Sequence, residues 1–162
     1  MTYQFTLQAN GFHIVFNGEP VHLNEALDTI IEIQLFPHLG GFTVRSVPMF
    51  LRINDLQRFL VYLEEHIEHL RNDSFYESYV FVPLELGFQV HALPGDVDED
   101  TNGSFCLLFL VNIGLRGEDE DDTRVYIGGE TNIDVSEVRA FIQTVRAVME
   151  KLQQSKEEKT TG

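Results

Sequence analysis

Phe105-Cys106-Leu107-Leu108-Phe109-Leu110-Val111-Asn112-Ile113 is the stretch on which the fold turns. It is almost wholly apolar, and an acidic run stands on each side, at 96–100 and 118–122. An apolar run bounded by turn residues reads as a buried strand or a short buried helix. Its length, its aromatic content and the flanking Gly103 and Gly114 favour the strand. The reading predicts a central strand covered on both faces. The one cysteine, Cys106, is expected to be a small buried hydrophobe within it. A single cysteine forms no internal bridge, which fits a reducing compartment.

Working outward, residues 84–93 alternate, with Leu84, Leu86, Phe88 and Val90 set against Glu85, Gly87 and Gln89. With 79–82 they predict strands that are bent or at an edge because of Pro83. Residues 123–128 read as a strand on the other side. Residues 54–72 place Leu56, Phe59, Leu60, Leu63, Ile67 and Leu70 on one helical stripe. Asn54 and Gln57 stand as a capping box at its start. A second helix, 134–153, carries Val138, Phe141, Ile142, Val145, Val148, Met149 and Leu152. Asp134 and Glu137 form its capping box, and Ile133 and Val138 hold the staple positions. Residues 154–162 predict a flexible polar tail.

In the N-terminal third, 3–7 alternates, Asn10-Gly11 is a hairpin signal, and 12–16 returns as a strand. Asn17-Gly18-Glu19-Pro20 predicts a second turn. Residues 21–26 read as an edge strand or a helical turn. Strands follow at 29–36 and 42–47, and 49–53 leads into the first helix. The order is strand block, helix, strand block, helix. The later connections are too short for parallel crossovers. The expectation is an α+β fold: a mainly antiparallel sheet with two helices packed on one face. At 162 residues the chain makes one domain, 1–153. Thirteen Phe and no Trp mark phenylalanine as the core anchor.

Net charge is −15, and nine of the 26 acids lie in the two runs: Asp96, Asp98, Glu99, Asp100, Glu118, Asp119, Glu120, Asp121 and Asp122. The lack of a basic stripe argues against binding nucleic acid or an acidic membrane. The excess is more than solubility asks of a small domain, and it suits a basic protein partner. The first residues lack the basic and apolar regions of a signal peptide, and no apolar stretch reaches membrane-span length. A soluble, cytoplasmic protein is expected.

Asp96, Asp98 and Asp100 hold the 1, 3, 5 spacing of a calcium loop. The match stops there, with Thr101 in place of Gly at the sixth position and Leu107 in place of Glu at the twelfth. A solvated hairpin loop and a weak cation site are the two readings. Ten residues of strand would hold the two acidic runs roughly 33 Å apart, so each acts alone. His66 and His69 are spaced to share a ligand face but lack a third ligand, and exposed helix surface is expected. No GxSxG, P-loop or GxGxxG followed by a helix is present. Neither a catalytic residue nor a cofactor is therefore expected. Arg45, Arg52, Arg58, Arg116 and Arg124 are the cations at hand, and their spacing names no site.

The layout resembles a known family. The helix pattern Leu56-x-x-Phe59-Leu60-x-x-Leu63 leads to Leu84-Glu85-Leu86-Gly87-Phe88-Gln89-Val90 and the buried strand. A strand ending near Thr131 and a helix reading Val138-x-x-Phe141-Ile142 follow. Over residues 28–152 this order is similar to small bacterial immunity-type proteins paired with wall-associated polymorphic toxins. The early hairpin and both acidic runs lie outside the match. The resemblance implies a protein that acts by binding, with no catalytic residues. The expected function is a non-catalytic protein-binding module whose acidic loops meet a basic partner. The alternative is a metal- or calcium-dependent protein using the 96–102 loop.

Overall fold

Period-two alternation builds a first sheet. Phe5 and Leu7 of β1 (Tyr3–Gln8) lie opposite Phe16 and Ile14 of β2 (Phe12–Val21), and all four are buried. Asn10 and Gly11 connect the two strands, as the sequence leads one to expect. On its other side β2 pairs with β3 (Ala26–Leu35), which carries β4 (Thr43–Arg45) at one end and β5 (Met49–Arg52) at the other. The computed structural model describes residues 1–98, 102–114 and 124–162.

The second sheet has the order β6 (Val80–Phe81), β7 (Phe88–Val97), β8 (Gly103–Asn112), β9 (Tyr126–Asp134), all antiparallel. β8 is the apolar run of the sequence, and it does lie between two partners. Its burial is one-sided. Phe105, Leu107, Phe109 and Val111 are fully buried, while Cys106, Leu108 and Leu110 are partly exposed. The expectation of cover on both faces fails because the rings that meet β8, such as Phe16 and His66, all meet its Phe105–Phe109 face.

The class is α+β with helices on antiparallel sheets, and the strands divide into two sheets where one was expected. The two are stitched by backbone bonds from Asn10 N–H to Asn132 C=O (2.9 Å) and from Val47 N–H to Asn112 C=O (2.9 Å). Phenylalanine anchors the core they share. The Phe16 ring meets Phe5, Phe88, Phe109 and Phe141, drawing both sheets and the second helix onto one residue.

Other expectations are corrected in detail. Asn17-Gly18-Glu19-Pro20 is not a turn; it continues β2. Pro20 lies beyond the last β2 residue paired with β1, in the edge setting where proline is tolerated. The turn instead spans 22–25, between Val21 and Ala26. β7 starts only at Phe88, because Leu84 and Leu86 fall in the preceding turn, where Leu86 holds φ 57°. β9 starts at Tyr126 and runs to Asp134, past the expected end.

Both helices spring directly from strands. α1 (Ile53–Leu70) follows β5, and its first residue donates N–H to Glu25 C=O at 3.0 Å. Arg52 is the N-cap, with no side-chain cap bond, so Asn54 and Gln57 form no capping box. The backbone of the 22–25 turn does part of that work instead. α2 (Val135–Thr161) follows β9 with Asp134 at the N-cap, also without a side-chain bond. Ile133 and Val138, the staple residues, are both fully buried. α2 continues through Thr161, where the sequence reading ended it at Gln153 and set a tail. Gln153 bonds Glu157 one turn on (3.5 Å), and Lys156 reaches Glu25 (2.8 Å). Neither described helix is long and apolar enough to cross a membrane.

Candidate functional site

The acidic residue pair Asp96 and Asp98 sits where β7 turns into β8. Pro94-Gly95 shifts the β7 register against β8 between Ala92 and Gly95. Gly95 is required there, since a Cβ would lie 2.3 Å from Ser104 C=O. Its N–H bonds Ser74 C=O (3.2 Å), which pins the β7 bulge to the segment after α1. Gly103 closes the far side at φ 140°, where a Cβ would meet Asp96 C=O at 1.9 Å. Asp98 accepts the Asn102 N–H on Oδ1 (2.9 Å) and donates its own N–H to Asn102 C=O (2.9 Å).

Together these place Asp96 and Asp98 on the rim of an open depression of about 640 Å³ that also includes Asp73. All three acids are exposed. Leu70 and Arg71 at the C-terminal end of α1, the negative pole of the helix dipole, also line the depression. Arg71 lines the same depression, but its guanidinium is held by both oxygens of Glu68 at 3.0 Å. Among the described residues no cation pairs with Asp73, Asp96 or Asp98. The arrangement attracts positive groups. Glu99, Asp100 and Glu118 to Asp122 lie outside the described residues, as does Arg116. β8 leads away from Asp98 to Ile113 and Gly114, so the second run is entered from the opposite end of that strand. Among the described residues no group of three His, Cys, Asp or Glu is placed to hold a metal ion.

His66 and His69 both meet the Tyr76 ring, but they differ in exposure. His66 is fully buried, contrary to the expectation of exposed helix surface. Its Nε2 lies 2.9 Å from Leu93 C=O, which can only accept, so Nε2 carries the proton. Nδ1 therefore accepts from the Ser78 hydroxyl at 2.7 Å. Burial pushes the imidazole pKa down to about 4, so it is neutral at pH 7. A His–Ser pair suggests a nucleophile, but both residues are buried and neither lines a described pocket. The pair is a structural lock between α1 and β7. His69 is exposed and stacks on Tyr76 at 4.3 Å.

Cys106 also departs from expectation. It lies on the partly open face of β8, and its thiol donates to Asn132 Oδ1 at 3.2 Å. Burial, and then Glu130, push its pKa up, which keeps it a thiol.

A larger feature was not foreseen. A groove of about 1100 Å³ runs between the 22–25 turn, the start of α1 and the last turns of α2. His22, Leu23 and Asn24 all have positive φ (52°, 56° and 64°). No glycine relieves them, and each such residue costs about 1–2 kcal/mol. Asn24 Nδ2 donating to Leu152 C=O (3.1 Å) and the Lys156–Glu25 pair (2.8 Å) hold the turn in place. The Lys156 partnership also draws the Glu25 carboxyl below its usual pKa. The groove's cations are engaged: Arg52 with Glu85 (3.7 Å), Arg146 with Glu64, and Lys156 with Glu25. Three tied cations leave no ready anion site. Arg146 and Lys156 come from far down the chain, and nothing in their local sequence signals the meeting.

No family model, curated protein or solved structure matches this chain.

Proposed function

We propose that the protein is a non-catalytic binding module for a basic protein partner, of the immunity type, with Asp96 and Asp98 on the contact surface. One observation carries the reading. Asp73, Asp96 and Asp98 surround one depression at the negative end of α1, exposed and without a cation among the described residues. The net charge of −15 extends that field well beyond the depression and would steer a positive partner toward it. A reducing compartment such as the cytoplasm fits the lone thiol of Cys106.

Exposed carboxylates of this kind govern association rate and salt response more than intimate packing. The test captures partners on the immobilised protein, then measures Kd for the captured protein at about 50 mM and about 500 mM salt. Weaker binding at high salt is expected, together with a loss of roughly fivefold in the D96N/D98N double variant. Equal affinity in both salts and in both proteins would overturn the reading. Calorimetric titration with Ca²⁺ and Mg²⁺ separates it from cation dependence: the module needs neither metal to bind.

A further inference from the structure

One edge of the second sheet is open. Val125 C=O accepts from Ile113 N–H at 2.8 Å, toward β8, whereas Asn132 C=O accepts from Asn10 N–H at 2.9 Å, on the outer side. In an antiparallel ladder the N–H and C=O of a residue point the same way, and the direction alternates along the strand. The bonds at the two ends of β9 agree on the parity. Tyr126, Gly128 and Glu130 therefore turn both backbone groups away from β8. Among the described residues nothing pairs with any of them.

This edge spans about 13 Å from residue 126 to 130. Sheet edges are ordinarily guarded by proline, lysine or a bulge. β9 reads YIGGETNID, with no proline and no lysine, and its register against β8 is unbroken. Its charged residues are Glu130 and Asp134, both exposed. Gly128 is explained by β8, because a Cβ there would lie 1.9 Å from Phe109 C=O. Gly129 is not crowded, its nearest neighbour being a Phe12 ring carbon at 3.5 Å. The missing side chain leaves the strand low, next to the exposed Ile127.

We propose that β9 is an acceptor strand: an extended, basic segment of the partner adds to the sheet along it. The partner's main chain would bond the N–H and C=O groups of Tyr126, Gly128 and Glu130, and its cationic side chains would face Glu130 and Asp134. Charge chooses this occupant over a second copy, since two chains at −15 repel and each would bring only acids to the shared edge. The inference rests on the basic-partner reading above and adds the place and mode of docking.

The test uses the full chain and an acetylated octapeptide of alternating Lys and Val, with a version N-methylated at every residue as control. The control keeps the charge and cannot complete a ladder. Amide exchange followed by NMR should slow at Tyr126, Gly128 and Glu130 by at least about tenfold near saturation with the plain peptide only. Glu130→Pro removes an outward N–H and no bond to β8, and it should abolish the protection while the thermal melt stays close to that of the parent. Glu130→Gln should keep the pattern of protection and weaken the complex by roughly threefold. No slowing at these amides overturns the proposal. So does equal slowing with the methylated peptide, or protection that grows with protein concentration alone. Shifts at Asp96 and Asp98 without any at β9 would refute the edge and leave the acidic surface standing. Silence at both places would sink both.

Discussion

The Tyr62 hydroxyl accepts the Ala92 N–H at 2.9 Å, at the residue where β7 loses register with β8. That hydroxyl also donates to Tyr79 C=O at 2.7 Å. Ala92 turns its backbone groups away from β8, its C=O accepting the Ser78 N–H at 3.1 Å, so the helix side chain bridges Ala92 N–H to Tyr79 C=O where the two-residue β6 has ended. Burial pushes the phenol pKa up to about 12, against the Ala92 N–H bond, which pulls it down. Tyr62→Phe strands a buried amide and should cost about 1–3 kcal/mol, read as a lower urea midpoint at unchanged slope.

His66 makes stability depend on pH. Folded, it stays neutral down to about 4, against an ordinary value of 6.5. Unfolded, it takes up a proton below that ordinary value. Between the two the unfolded chain binds more protons, so its contribution is complete above pH 6.5 and drains away as pH falls toward 4. From pH 7 to pH 5 the loss should be about 2 kcal/mol. Urea unfolding at both pH values checks it, and His66→Gln should flatten the difference.

Asp55 separates two kinds of bond in one side chain. It is nearly buried, with Oδ1 on Arg58 (2.6 Å) and Oδ2 accepting Leu84 N–H (2.9 Å). The Arg58 side chain is 57% exposed, so its ion pair is worth about 0–1 kcal/mol. The charged bond to a backbone amide is worth about 1.5–3 kcal/mol. Asp55→Ala should therefore destabilise more than Arg58→Ala, and equal losses in thermal melts would contradict that division.

Gly103 is fixed both by φ 140° and by the nearness of Asp96 C=O. Gly103→Ala should cost more than about 2 kcal/mol and displace the Asp96–Asp98 rim. Denaturation reads the first, and weaker binding of a basic partner reads the second.

Where side-chain periodicity was strong, the sequence was legible. The stripes of both helices follow from spacing and the Asn10-Gly11 connection from its turn residues, whereas the unbroken apolar run of β8 hid which of its faces is buried. Residues whose partners are remote were not legible. Pro20 and Gly18 look like a turn, yet β3 alongside continues the strand through them. His66 looks like an exposed neighbour of His69, but Ser78 and Leu93 arrive from beyond the helix to enclose it. Asn54 looks like a cap until the 22–25 turn supplies Glu25 C=O to Ile53. Asp96 and Asp98 were legible as charge, while their meeting with Asp73 depended on how α1 ends against the β7 bulge.

The two strand-to-helix corners have nearly the same backbone angles, φ −69° and ψ 143° at Arg52 and φ −75° and ψ 139° at Asp134. With no linker at either corner, each helix inherits its direction from the strand before it. The frame has little slack to take up on docking, so it gives up little conformational entropy when a partner arrives. Adaptation then falls to the partner. A flexible basic segment that orders itself against this surface would bear most of the entropic cost of the complex, and its length and stiffness would set the affinity.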